Sequence, residues 1–250
     1  MFSLANIADC VRPIFFQTEF EEFLYATHGG TLFLVQLEGR VYGLTCKHVF
    51  GDFDHGSLFV PNAKFPKKGS APAKIAGFHF ASAPIGFAVE SDLLDLCVIE
   101  FDGSVGPGFF GGTAYRIESD SVGTSVPGHP LVIAGVLKEK SQIVPGDISI
   151  GYCRLEYMDF GPQSHDITLR VGEAEFPVPG FTQVTGISGS PVFDLAKEVL
   201  CGMVVRGSMN GRRSTIRYID IADVLHFLRG AAGQQKRTYY EKWITVAKKL

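Results

Sequence analysis

Gly186-Ile187-Ser188-Gly189-Ser190-Pro191-Val192 sets a serine between two glycines, with a proline closing the loop and β-rich sequence on either side. Gly186 has access to φ values that a side chain forbids. A tight loop here can present Ser188 outward while its own N–H groups face the same hollow. Two N–H groups converging beside a hydroxyl is the arrangement that stabilises the oxyanion of an acyl-transfer intermediate. A glycine-rich hairpin with an ordinary serine fits the same letters, so the rest of the chain has to decide.

The chain has 250 residues, enough for one large all-β domain or two small ones with a proper core. Its net charge of −3 and balanced composition give no basic character that would suggest nucleic acid. The 29 glycines, 13 prolines and 21 phenylalanines suit many short strands joined by tight turns. Apolar runs stay well below the about 18 residues needed to span a bilayer, so no membrane segment is expected. The first ten residues lack a basic start and include Asp9, which is not the pattern of a secretory signal. Five cysteines, at 10, 46, 97, 153 and 201, are odd in number and have no close pair. No Cys/His spacing resembles a zinc site, and the count argues against a secreted disulfide framework. The expectation is a cytoplasmic protein with no metal and no cofactor.

Outward from the serine loop, short strands dominate. Thr31–Leu37 and Val41–Cys46 read as a hairpin through a three-residue link, Glu38-Gly39-Arg40. It delivers His48 directly after a buried strand, where a general base can be held in place. The other six histidines read as structural or solvated. Further runs at Ile14–Phe16, Ser57–Val60, Ala73–Phe80 and Ile85–Val89 lead to Asp95, at the mouth of the apolar strand Leu96–Ile99. An aspartate there can orient an imidazole. A strand-initiating turn acid is the alternative, and Asp92 suits that duty.

Asp102 to Thr113 holds five glycines and one proline, and divides the chain into 1–113 and 114–230. The second half repeats the style at Leu131–Leu137, Ser149–Phe160, Ile167–Val171, Val199–Val205 and Arg217–Ile221. No strand–helix–strand alternation occurs, which disfavours a parallel α/β fold. Ile221, Val224, Leu225 and Leu228 have helical spacing and predict a helix over 219–229. Residues 231–250 form a basic tail that reads as a second short helix with a solvated face.

His48, Asp95 and Ser188 therefore stand at strand ends or turns in that chain order, 47 and 93 residues apart. The order is that of the chymotrypsin arrangement, and the hydrolase elbow G-x-S-x-G fails because Ser190 holds the place of its last glycine. The chain resembles the chymotrypsin/trypsin-like serine peptidases, in particular their bacterial members without disulfides. Thr45-Cys46-Lys47-His48 resembles the family's Thr-Ala-Ala-His box. Asp95-Leu96-Cys97-Val98 is similar to Asp-Ile-Ala-Leu, and Gly186 to Pro191 is similar to Gly-Asp-Ser-Gly-Gly-Pro. Gly202 to Gly207 matches the family's substrate-binding strand in position.

The resemblance implies an all-β fold of two six-stranded antiparallel β-barrels with a C-terminal helix. It implies a serine endopeptidase acting on a protein or peptide. Ser188 would be the nucleophile, His48 the base and Asp95 its orienting partner, with the N–H groups of Gly186 and Ser188 as the oxyanion hole. Thr182, Val205, Arg206 and Gly207 would bind substrate. Ile187 replaces an acid that pairs with a freshly cut N-terminus in secreted members, so that activation switch should be absent. Val205 replaces a serine that helps hold the aspartate. Gly135-Val136-Leu137 stands where many bacterial members have Gly-aromatic-Pro. Thr182 stands where trypsin has its pocket acid, so cleavage after Lys or Arg is not expected and a small or acidic residue is. The competing class is a peptide-binding or partner-activated module on the same fold, with little activity alone and an activating protein partner.

Overall fold

A computed structural model describes residues 4–20, 25–64, 71–81, 92, 94–144, 147–163, 166–175 and 184–232. The segments expected at Ile85–Val89 and over 233–250, as well as His165 and Thr182, lie outside the described residues. In chain order the first strands are β1 Val11–Pro13, β2 Phe15–Gln17, β3 Tyr25–Ala26, β4 Thr31–Leu37, β5 Arg40–Cys46, β6 Leu58–Phe59, β7 Ile75–Phe80, β8 Leu96–Phe101 and β9 Tyr115–Arg116. They are followed by β10 Pro130–Val144, β11 Asp147–Gln163, β12 Asp166–Glu175, β13 Pro191–Asp194, β14 Val199–Asn210 and β15 Arg213–Asp220. A single α-helix, α1 Ile221–Ala231, closes the described chain.

The β4–β5 hairpin is tighter than its composition suggested. Leu37 pairs directly with Arg40, which leaves a two-residue turn. Glu38 (φ 50°) and Gly39 (φ 81°) both take left-handed values, the geometry that matches the strand twist. β5 then pairs antiparallel with β8 in a register that sets Cys46 opposite Leu96. The sheet order is β1-β4-β5-β8-β7, with β9 parallel to β4, and β3-β2-β6 form a separate three-stranded sheet. The described strands of the first half thus form two sheets, one of them joined by β9 from beyond residue 113, whereas β10 to β15 close into a six-stranded antiparallel barrel, β10-β11-β12-β15-β14-β13.

Continuous apolar runs in the second half follow from burial on both faces. On β10, Leu131 and Ile133 point into the barrel beside Tyr157, Val192, Val204 and Tyr218. Val132 and Ala134 point the other way, into a core that spans both halves and includes Leu32, Leu44, Val98, Phe193 and Val205. A period of two with both faces covered yields an unbroken hydrophobic run. Helix α1 begins two residues later than expected, because β15 continues to Asp220. The Asp220 carboxylate caps the helix by accepting from the Ala222 N–H (2.9 Å). Ile221, Val224, Leu225 and Leu228 are buried, as their spacing required.

Two buried polar clusters pin the barrel. Arg170 donates to Asp159 (2.5 Å) and to the Tyr218 hydroxyl (3.0 Å), and Tyr218 in turn donates to Asp159. Asp194, fully buried, accepts from Ser125 (2.9 Å) and from the N–H groups of Ala196 and Lys197, with His129 Nδ1 at 2.8 Å. Burial alone would raise the Asp194 carboxyl, but the hydrogen bonds from His129, Ser125 and the Lys197 N–H outweigh it and hold the group below the ordinary aspartate value. A depressed carboxyl stabilises the fold above its unfolded pKa, and that contribution is lost as pH falls through the folded one. Asp194→Asn is therefore expected to cost about 1–3 kcal/mol at neutral pH. The deficit should shrink below the ordinary aspartate pKa, as measured by thermal melts of both proteins across pH 3 to 7 (roughly the range over which aspartates titrate).

Candidate functional site

The β5–β8 register brings the first two candidate residues together. Because Cys46 faces Leu96, the residue just before β8 lies beside the turn that follows β5. That turn is a single 3-10 stretch, Lys47–Phe50. The Asp95 carbonyl accepts from the Lys47 N–H (2.9 Å), and its Oδ1 accepts from the His48 N–H (2.8 Å). Its Oδ2 forms a short hydrogen bond with His48 Nδ1. Asp95 thus holds both the backbone and the ring of His48. The support that Val205 cannot give comes from the main chain of the histidine turn itself. His48 remains half exposed (51%) while Asp95 is largely covered (11%).

Ser188 stands on a turn from the second half in which Ser190 N–H donates to Ile187 O (2.9 Å). Gly186 (φ 105°) and Gly189 (φ 89°) are both left-handed. A side chain on Gly186 would lie 2.4 Å from Val136 O, and one on Gly189 would lie 2.0 Å from Thr31 O. Both positions require glycine for reasons of space as well as torsion. Among the described residues, neither Gly186 nor Ser188 donates its N–H to a backbone carbonyl. The Ser188 hydroxyl donates to Val205 O (3.3 Å) and not to His48.

Thr31, the first residue of β4, holds this turn against the first half, and the sequence reading missed it. Its N–H donates to Ser188 O (2.8 Å), and its hydroxyl donates to Gly186 O (2.8 Å). The same hydroxyl oxygen accepts from Val136 N–H (2.9 Å) and Ser190 Oγ (3.3 Å), while Thr31 O accepts from Thr45 (2.9 Å). One donor and two acceptor positions are all filled, and the residue is fully buried. These partners are 14 to 159 residues away in sequence, so no local signal marks the position.

Of the proposed substrate-binding residues, Val205 is buried and offers its carbonyl to Ser188. Gly207 turns toward the barrel interior, where an added side chain would meet Ile187 and Val184. Ile187 itself is buried in the barrel core, so an apolar side chain fills the place where an acid would have served an N-terminal switch. Arg206 is exposed and pairs with Asp92 (2.7 Å). Asp92 corrects its sequence reading: its backbone carbonyl accepts from Asp95 N–H in a turn, but its carboxylate is buried and bridges the two halves. β13 leaves β14 at the Pro191–Met203 pair, and the ladder with β15 is bulged at Val205. The stretch after Met203 therefore lacks a neighbouring strand on its Ser188 side among the described elements.

Cys46, His48 and Asp95 are the only group among the described residues that converges closely enough to hold a metal. Burial, reinforced by Asp95, pushes the Cys46 thiol well up, and the thiol donates to Val204 O. The other two side chains already engage each other. This donor set does not favour an ion. All five cysteines are free.

No family model and no curated protein matches the sequence. Solved structures do. The fold is the trypsin-like double β-barrel. Human heparin binding protein aligns with a TM-score of 0.59 at 11% identity, covering 94% of this chain and 96% of the other. A Glu endopeptidase aligns at 0.52 and 16% identity, covering 91% and 92%. The scabies mite inactivated protease paralogue S-I1 aligns at 0.58 and 11% identity, covering 92% and 97%. At such identities the shared property is the fold.

Thr31→Val would strand Gly186 O, Val136 N–H and the Ser190 hydroxyl in the interior. At about 1 kcal/mol or more for each orphaned group, Tm should fall by roughly 6–12 °C. Thr31→Ser, which keeps the hydroxyl, should recover most of that loss in a thermal melt. Equal melting temperatures for the valine variant and the parent would refute the assignment.

Proposed function

We propose that this protein is a serine endopeptidase that cleaves peptide bonds through Ser188, His48 and Asp95. The observation that carries the proposal is the double grip of Asp95 on His48, ring and backbone together, with Ser188 on a glycine turn that is tied to the first half through Thr31. A structural aspartate has no need to orient an exposed imidazole. With Nδ1 held by Asp95, the neutral ring has Nε2 available to accept a proton.

In this reading Ser188 Oγ attacks the scissile carbonyl and its proton passes to His48 Nε2. The developing oxyanion is met by the N–H groups of Gly186 and Ser188, each such donor being worth roughly 3–4 kcal/mol in the transition state. The imidazolium returns the proton to the leaving amine, and an acyl-enzyme remains. Water deprotonated by His48 then attacks the ester and frees Ser188. Before the first step the serine hydroxyl has to turn from Val205 O toward His48. An extended substrate would lie along the unpartnered edge of β14. No cofactor enters this chemistry. Five free thiols support a reducing, cytoplasmic setting.

A second reading is favoured by one observation: the Ser188 hydroxyl rests on Val205 O. A partner-activated or peptide-binding module would keep it there until a bound protein turned it. The same fold is found in a heparin binding protein and in an inactivated protease paralogue as well as in an endopeptidase.

Labelling of the purified chain by a fluorophosphonate separates the two. A self-sufficient peptidase is expected to label, and Ser188→Ala and His48→Ala should abolish the signal. Asp95→Asn should slow labelling by about four orders of magnitude, since it leaves the ring in the wrong tautomer. Folded protein that does not react would favour the module.

A further inference from the structure

A carboxylate outside the triad joins the two halves close to both of its ends. Asp92, three residues before Asp95, is nearly sealed from solvent, with 4% of its side chain exposed. Its Oδ1 lies 2.7 Å from Arg206 Nη2, and its Oδ2 lies 3.0 Å from Arg217 Nη1. Arg206 and Arg217 stand opposite each other on the β14–β15 ladder, so one side chain grips two strands of the barrel. Hydrogen bonds between ionised partners are about twice as strong as neutral ones, and a covered carboxylate loses little of that to water.

Each end of this bridge borders a reacting group. Arg206 immediately follows Val205, whose carbonyl accepts from the Ser188 hydroxyl (3.3 Å). At the other end, Asp92 O accepts from the Asp95 N–H (3.4 Å) and closes the turn that leads into β8. Asp95 in turn accepts from the Lys47 and His48 N–H groups and bonds the His48 ring. The contacts therefore run without a break from β14 through Asp92 and Asp95 to the imidazole. Thr31 fixes the serine turn to β4, and the β5–β8 ladder fixes the chain from Leu96 onward. Asp95 precedes that ladder, and on its N-terminal side the turn anchored by Asp92 holds it. A tie that served stability alone would have no reason to end beside Val205 and Asp95.

We propose that Asp92 is a positioning residue: its bridge to Arg206 and Arg217 fixes the turn that carries Asp95, and through Asp95 the His48 ring, relative to Ser188. The consequence for reaction rate rests on the peptidase reading, whereas the placement of the ring does not. Asp92 acts on the chemistry through Asp95, and that separates it from an ordinary tether. Loss of a tether lowers stability and leaves the folded site as fast as before.

The test measures the rate of fluorophosphonate labelling well below the melting temperature of each variant, so that differences in stability do not enter. The probe carries no peptide, so a contact between Arg206 and a substrate cannot account for a change. Asp92→Asn should label about ten- to a hundredfold more slowly than the parent, the loss that goes with a small misplacement of a reacting group. Arg206→Gln removes one arm of the bridge and should give a smaller loss, and Arg206→Lys, which keeps the charge without the fork, a smaller one still. The arginine variants also decide the matter if Asp92→Asn does not fold. In an Asp95→Asn background the same changes should cost less than about twofold, since the route to His48 is already cut. Folded variants that label as fast as the parent would overturn the proposal and leave the peptidase standing. Equal losses with and without Asp95 would overturn it too, because Asp92 would then act by another route. If the parent does not label, the peptidase reading fails and proton NMR decides the positioning. A proton held between His48 Nδ1 and Asp95 resonates far downfield and is identified by its absence in His48→Ala. Broadening or loss of that resonance in Asp92→Asn or Arg206→Gln supports the proposal. A parent without the resonance, or variants that leave it unchanged, would overturn it.

Discussion

One buried hydroxyl couples the two halves of this molecule at the point where its chemistry would occur. Thr31 opens the central hairpin of the first half, yet its side chain and backbone are bonded to Gly186, Ser188 and Val136 of the second, and its hydroxyl also accepts from Ser190. A threonine hydroxyl has one proton and two lone pairs, and here all three are used. The serine turn can then be neither shifted nor rotated without leaving a buried polar atom unpaired. That is an expensive outcome in a water-free interior, and it makes the turn stiff without a disulfide or a metal. The glycines obey the same constraint: Gly189 exists because Thr31 O comes too close for any side chain.

The histidine side of the cleft depends on register rather than on a dedicated support. Once Cys46 is set opposite Leu96, Asp95 can reach the His48 ring and the N–H groups of Lys47 and His48 at the start of the turn. A slip of one residue would send every side chain of β8 to the wrong face, and the apolar run Leu96–Ile99 forbids that by being buried in the core. Packing of the first half therefore orients the imidazole. The same logic runs through the second half, where the closed barrel has no edge at β10 or β15, while β14 beyond Met203 has no described strand on its Ser188 side. An edge strand is usually a liability, and the proposed peptide substrate would cover this one.

Charge is arranged with equal economy. The barrel's buried ions are matched, Arg170 with Asp159, and Asp194 with its ring of donors. Such pairing is the condition for burying a charge at all. At the cleft the buried Asp92 carboxylate bridges Arg206 and Arg217.

Much of this was legible in the letters. Alternating and continuous apolar runs with glycine and proline breaks announced an all-β chain, and Ile221, Val224, Leu225 and Leu228 announced helix α1, because burial periodicity is a local property. Three short boxes announced His48, Asp95 and Ser188, since residue type and order survive without geometry. Their mutual distances did not. Glu38 taking a left-handed turn, the first half appearing as two sheets beside a closed barrel, Thr31 as the clasp and Asp92 as the bridge between two arginines were decided only by tertiary structure. Each joins residues that are remote in the chain or depends on how a strand's register falls, and no window of neighbouring residues contains that information. The composition of the chain required strands. Only the packing of one half against the other determined which hydroxyl, which carboxylate and which guanidinium would meet at the cleft.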